Sequence, residues 1–295
     1  MKIKLSVIIP YYNSKESLSR LLDSIPIFEA IEILVINDHS DDISDVIAKH
    51  GSAFLYEQVE GKKWAGAARN LGLKHARGEY ILFADADDYF LDGFFSLVSE
   101  YFESGKDVIY FSPTSIKVNG ESSKRHLRYE ELVKNYVSAQ DLAIKYRFHV
   151  PWSKLFRRRF LLENSIQFDE VIASNDVVFS LKSSVLAESV AADQRSIYCV
   201  VESDSSLTKI KSEEVLDSRF YASCRYNDFL RSIGDKNEAA MSQFIYHAYK
   251  FSFYKSLSVF FFCKYKKYKV FYDFSHIMKV AKREFKYKLN SILGR

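Results

Sequence analysis

Hydrophobic positions in the first half of this chain fall into short unbroken runs separated by stretches of helical spacing. Leu5-Ser6-Val7-Ile8-Ile9 is rich in β-branched residues and closes at Pro10, which predicts a buried strand. Leu18, Leu21, Leu22 and Ile25 then recur on one helical face. Ile33-Leu34-Val35-Ile36 predicts a second buried strand, followed by a helix from about Ile43 to His50 and a weaker strand from Ala53 to Tyr56. Trp64 opens a further helix, with Gly78 as its predicted C-cap, and Tyr80-Ile81-Leu82-Phe83 forms the next strand. Farther on, a helix is expected near Leu91. Another is expected over Val177 to Leu186, with Val178, Leu181, Val185 and Leu186 at helical spacing. Strands alternating with helices predict an α/β fold with a mostly parallel central sheet flanked by helices.

Polar residues gather where these strands end. Tyr12 follows the first strand, Asp38 the second, and Asp85, Asp87 and Asp88 the apolar run of residues 80–84. In such sheets ligands bind outside the carboxyl ends of the strands. Clustered carboxylates repel one another, and a hard divalent cation with oxygen ligands makes the cluster favourable. A cation held by one or two carboxylates completes its shell with water and a substrate diphosphate. A solvated acidic turn is the plainer reading of the same triplet. Neither Gly-x-Gly-x-x-Gly nor a phosphate loop ending in Gly-Lys-Ser/Thr is present.

Composition changes this picture little. With 295 residues, 47% hydrophobic and 27% charged, the chain is an ordinary globular sequence long enough for a sizeable core. Its three cysteines, Cys199, Cys224 and Cys263, suggest neither a disulfide framework nor a zinc site, which points to a reducing cytoplasm. Charge matters more. From Tyr254 onward, eleven lysines and arginines stand against Asp273 and Glu284, mixed with many aromatics. No apolar run there approaches the ~20 residues needed to span a bilayer. Helices lying on an anionic membrane surface fit this mixture, and so does a helical cap with solvated lysines. Nucleic-acid binding is the least favoured reading.

Four ordered segments carry a resemblance: Ser6 to Asn13, Val35 to Asp42, Gly66 to Gly72, and Arg77 to Asp88. Together they resemble the nucleotide-binding half of family-2 glycosyltransferases with a GT-A fold, a Rossmann-like architecture. Pro151-Trp152-Ser153-Lys154-Leu155-Phe156 continues the likeness. So does Ser174-Asn175-Asp176, where Asn175 stands in place of the usual glutamate. The resemblance implies an inverting transfer from a nucleotide-diphospho sugar, most simply UDP-linked, to a glycan or lipid-linked acceptor in bacterial surface polysaccharide synthesis. It also implies a Mn2+ or Mg2+ cofactor and a cytoplasmic protein peripheral to the cell membrane.

Residue by residue, the resemblance makes Asp87 the metal ligand. Pro10, Tyr12, Asp38, Arg69, Asp85 and Ala86 become nucleotide-sugar contacts, with Asp38 reading the uracil imide. Asp88 is either a support for the metal site or a cap on the helix near Leu91. Asp176 is the expected general base, because an inverting transfer needs a carboxylate opposite the leaving nucleotide. Capping the helix that starts at Val177 is its structural alternative. Trp152 and Lys154 are expected on the acceptor side, and Ser206 to Lys209 over the diphosphate. Residues 1–110 then form the donor half, 111–210 the acceptor half, and 211–295 a helical C-terminal region. A sugar nucleotidyltransferase and a non-catalytic binding member of the same fold are the alternatives.

Overall fold

The structure, a computed structural model, describes residues 2–50, 54–58, 64–203 and 212–271. Ser206 to Lys209 and the basic, aromatic run beyond residue 271 lie outside the described residues. The chain divides into two compact units, Met1–Ile210 and Lys211–Arg295.

The first unit follows the alternation of the sequence. In chain order its elements are β1 (Leu5–Tyr11), α1 (Lys15–Asp23), β2 (Ile31–Asn37), α2 (Ser44–His50), β3 (Phe54–Gln58), α3 (Trp64–His75), β4 (Tyr80–Phe83), β5 (Tyr89–Phe90), α4 (Phe94–Ser99), β6 (Val108–Lys117), α5 (Leu127–Ala139), α6 (Ala143–Arg147), β7 (Lys154–Arg157), α7 (Arg158–Glu163), α8 (Val177–Val185) and β8 (Val190–Glu202). They build one sheet in the order β3-β2-β1-β4-β7-β6-β8-β5. The first four strands are parallel neighbours, β7 runs antiparallel between β4 and β6, and β6 pairs parallel with β8. Strands from before and after residue 110 therefore share one sheet and one core. β1, β2 and β4 are buried along their whole length, as unbroken apolar runs require in a sheet covered on both faces.

One charged exception in this core is fully partnered. Glu32, on β2, accepts hydrogen bonds from Ser6 Oγ (2.5 Å), the amides of Arg77 and Gly78, and Arg77 Nε. Burial pushes its carboxyl up, but the donors from Ser6 and Arg77 outweigh it and the net direction is down. Gly78 is not the C-cap predicted from sequence, because α3 already ends at His75. Its glycine is required by proximity: a Cβ would lie 2.5 Å from the Ser6 amide nitrogen. The helix expected near Leu91 is α4, which begins at Phe94 after Gly93 at a φ of 76°.

The second unit is helical, with α9 (Glu213–Ser232), α10 (Ser242–Tyr249) and α11 (Phe253–Tyr265). Phe220, Cys224, Met241, Phe244, Cys263 and Tyr268 form its core. Arg231 ties its loops together through Glu238 and the carbonyls of Lys266 and Lys267. All three cysteines of the chain are buried free thiols. No helix among the described residues is long and apolar enough to cross a membrane. One face of α11 is uncovered, with Tyr254 80%, Phe261 63% and Tyr265 83% exposed.

Candidate active site

The parallel order β2-β1-β4 sets three carboxyl-terminal strand ends side by side, and each delivers polar groups to the same edge. After β1, Tyr12 is exposed while Pro10 and Tyr11 are buried. Tyr11 donates its hydroxyl to Asp41 (2.6 Å), and its carbonyl accepts from the Asp38 amide. Asn13 and His39 turn through left-handed conformations, and the Ser40 hydroxyl bonds Asn13 across the two loops. Asp38 is buried just past the end of β2. Asp42 supports the start of α2, its carboxylate accepting from the Ser44 amide (2.9 Å).

The acid turn follows β4. Single carboxylate oxygens of Asp85, Asp87 and Asp88 lie within 4.8 Å of one another. The three have different environments. Asp85 accepts from Arg69 Nη2 at 2.5 Å. Asp88 is fully enclosed: Oδ1 takes the Val201 amide at 2.7 Å and Oδ2 the Tyr198 hydroxyl at 2.9 Å. It therefore supports the turn and does not cap a helix. Burial, then Asp87 and Asp85, push its carboxyl well up, against the pull of those two donors. Ala86 is buried within the turn, and Asp87 alone of the three carboxylates is exposed. Asp87 nonetheless sits among enough protein atoms, and close enough to Asp85, to be pushed up to about 6; Arg125 and Arg20 pull the other way. Arg20 also donates to the Asp87 carbonyl at 2.5 Å. A divalent cation fits this donor set through Asp87, with Asp85 adjacent, since positive charge relieves the crowding that raises Asp87.

Arg69 connects this turn to the other side of the site. It is 5% exposed, and its guanidinium spans Asp85 and Asn175 Oδ1 (3.0 Å) with its carbon 5.3 Å from the centre of the Phe168 ring. Its Nε has no hydrogen-bond partner among the described residues. α3 also fixes the segment before Asp176. Asn70 exchanges two hydrogen bonds with the Phe168 backbone, 3.0 and 2.8 Å. Gly66 permits close approach, because a Cβ there would come 2.0 Å from the Asp169 carbonyl oxygen. Asp176 occupies the N-cap position of α8 without making a side-chain capping bond. Burial pushes it up to about 6, with Asp85 adding to the shift while Arg69 and Lys154 oppose it. A carboxylate in this state is suited to accept a proton near neutral pH.

Trp152 and Lys154 lie differently from a surface platform. Trp152 is 2% exposed, stacked on Tyr198 at 5.9 Å and edge-on to Tyr129 at 5.0 Å. Lys154 is fully buried, donating to the Phe148 carbonyl (2.6 Å) over the Tyr110 and Phe148 rings. Burial lowers it well below the usual lysine range, and Asp176 opposes that shift. Their packing supports the site from behind and offers no surface to a sugar. Sequence reasoning missed three contributors. Tyr198 lies far along the chain with no motif around it. Asn175 had the appearance of a lost glutamate. Arg20 is one charge on an amphipathic helix. The small-residue run Gly66-Ala67-Ala68 was the available signal for the close approach of α3.

Similarity to known proteins agrees with this geometry. The Bacillus subtilis uncharacterized glycosyltransferase EpsJ is 28% identical over 72% of this chain and 65% of its own length. The poly(ribitol-phosphate) beta-glucosyltransferase of Bacillus spizizenii is 33% identical over 67% of this chain but 32% of its own. The chain thus spans one third to two thirds of the length of these curated relatives. Among solved structures, S. aureus TarS 1-349 in complex with UDP-GlcNAc shares the fold with a TM-score of 0.63 at 23% identity, covering 85% of this chain and 74% of that one. A Pyrobaculum calidifontis mannosyltransferase in complex with GDP-Man and Mn2+ matches with a TM-score of 0.52 at 13% identity, covering 96% of this chain and 80% of that one. The family model for glycosyl transferase family 2 matches residues 6–164, more than half of the sequence, and the chain belongs to that family.

Proposed function

We propose that this protein is an inverting, divalent-cation-dependent glycosyltransferase. It moves a sugar from a nucleotide-diphospho donor, most simply UDP-linked, to a glycan or lipid-linked acceptor of a bacterial surface polymer such as capsule or O-antigen. The observation that carries this reading is Arg69, which bridges the acid turn and the Asn175–Asp176 segment across the carboxyl ends of the parallel strands. Pro10 and Tyr12 wall the base, and Asp38 accepts from the uracil imide. Asp85 and Ala86 border the nucleotide sugar, while Arg69 orients Asp85 and lies toward the phosphates. Bound through Asp87, a Mn2+ or Mg2+ ion supplies counter-charge to the departing diphosphate. Asp176 takes the proton of the attacking hydroxyl as the new bond forms. Trp152 and Lys154 shape the acceptor side through the residues they support. The relatives named as poly(ribitol-phosphate) transferases support a surface-polymer acceptor. Peripheral attachment to the cytoplasmic face of the membrane, through the exposed face of α11, completes the reading.

A nucleotide-release screen of UDP-, GDP- and dTDP-sugars, with and without Mn2+ or Mg2+, tests it. Metal-dependent release from a UDP-sugar is expected, and Asp87→Asn should lose most of it while keeping the fold. Equal turnover by this variant, or by the wild type in excess chelator, would refute the assignment.

A further inference from the structure

Between the end of α1 and the start of α4 lies a cavity of about 660 Å3. That volume is typical of small-molecule sites, and none of its lining residues belongs to the strand-end site described above. Its apolar wall is Pro26, Phe28, Phe94 and Phe95. The wall is held from outside the cavity. Phe94 is buried and stacked on Phe90 at 4.2 Å, and Phe90 lies edge-on to Tyr198 at 5.3 Å. Phe95 packs on Phe102 at 6.0 Å and is tilted against Phe28 at 5.2 Å. Phe28 itself is 50% exposed. The Ser24 hydroxyl donates to the Leu21 carbonyl (2.6 Å) and accepts from the Phe90 amide (3.0 Å), which pins the end of α1 to β5 and fixes the spacing of the two sides. At Gly93, a Cβ would meet nothing within 4 Å, so the cavity is open there.

The charge of the lining has one sign. Asp23 and Asp92 are its charged groups, both exposed, and no lysine, arginine or histidine lines it. Asp23 lies 3.5 Å from His50 Nε2, and Asp92 has no ion pair among the described residues. Two exposed carboxylates alone hold a cation weakly. Aromatic faces are also negative, so rings and carboxylates together favour a cation that carries an apolar body. The same lining repels an anion, and a neutral apolar molecule uses the rings only. We propose that this cavity binds a small organic cation, an ammonium group on an aromatic or short aliphatic body, with the body against Phe28, Phe94 and Phe95 and the charge toward Asp23 and Asp92. The inference does not depend on the glycosyltransferase reading.

The test titrates the full chain by calorimetry with three probes of matched body: phenethylammonium, phenethyl alcohol and phenylacetate. The ammonium should bind about fivefold more tightly than the alcohol, as a cation–π contact with added charge pairing gives, and the carboxylate most weakly. Salt should narrow the difference. D23N/D92N should bring ammonium and alcohol to within about twofold of each other, because only the charge term is removed. F28A should weaken both. D87N should leave the order unchanged, since the acid turn is elsewhere. Equal binding of ammonium and alcohol, a preference that survives D23N/D92N, or one that D87N abolishes overturns the proposal, as does the absence of saturable binding by all three probes. Should the double variant fail to fold, D92N at its exposed, unpaired position carries the same comparison.

Discussion

Replacing Gly66 by alanine sets two effects of known size against each other. Alanine favours the helix by about 1 kcal/mol over glycine. The added Cβ, however, would stand 2.0 Å from the Asp169 carbonyl oxygen, 3.0 Å from its carbon and 3.1 Å from Asn175 Cβ. Carbon contacts relax at about 3.5–4.0 Å, so α3 and the 169–175 segment must part by more than about 1 Å. Overpacking of this kind costs about 1–3 kcal/mol, which leaves a net loss of up to about 2 kcal/mol and a melting temperature lower by a few degrees. Catalysis should suffer more. The displaced segment carries Asn175, bonded to Arg69 at 3.0 Å, and Asp176 directly after it. A misplacement of about 1 Å can reduce turnover by about 10². Steady-state nucleotide release gives kcat, calorimetry gives UDP affinity, and a thermal melt gives stability. The expected pattern is a small melting shift, nearly intact UDP binding and a large fall in kcat. A kcat within a factor of about two of the wild type would show that this approach does not set the position of Asp176.

Three further expectations follow from the same geometry. Asp176 is pushed up to about 6, and its charged form is the one that accepts a proton, so kcat at saturating metal should hold above pH 6 and fall tenfold per unit below it; Asp176→Asn should lose roughly 10² or more in kcat while keeping UDP affinity, and a flat profile from pH 5 to 7 would remove Asp176 as the base. Tyr198→Phe deletes both the acceptor for the Asp85 amide and the donor to Asp88, so the Mn2+ concentration that half-saturates UDP binding should rise by roughly tenfold, the worth of one or two hydrogen bonds; an unchanged Mn2+ response counts against its holding the acid turn. Replacing Tyr254, Phe261 and Tyr265 with serine should weaken binding to vesicles rich in anionic lipid and leave turnover on a soluble acceptor intact, whereas an intact protein that ignores such vesicles at low salt has no lipid-binding face there.

The strand-end side of the candidate site was readable because its information is local. Pro10, Tyr12, Asp38 and the acid turn each sit one to five residues beyond an apolar run, and the parallel sheet converts sequence adjacency to a strand end into spatial adjacency to the site. The side around Asn175 and Asp176 is built by contacts across long separations, for which no linear pattern exists. Asn175 takes its meaning from Arg69, 106 residues away. Asp88 is explained by Tyr198 and Val201, 110 and 113 residues away. Trp152 and Lys154 are expected at a ligand from their segment, but sequence cannot distinguish a residue facing a ligand from one packed behind it, and both are buried. Gly78 shows the same ambiguity: a helix end and a close backbone approach both call for glycine.

The route of the chain between β6 and β7 bears on how such an enzyme can diversify. These two strands are hydrogen-bonded neighbours, yet 36 residues, positions 118–153, intervene between Lys117 and Lys154. The excursion leaves the sheet and returns to the neighbouring strand, while the acid turn belongs to a different connection. Its length and surface can drift without altering the register that fixes the acid turn, provided Tyr129, Phe148 and Trp152 keep their places in the core. Residues 118–147 are therefore the natural unit for transplantation between members of the family, a cassette that can change while the acid turn keeps its place.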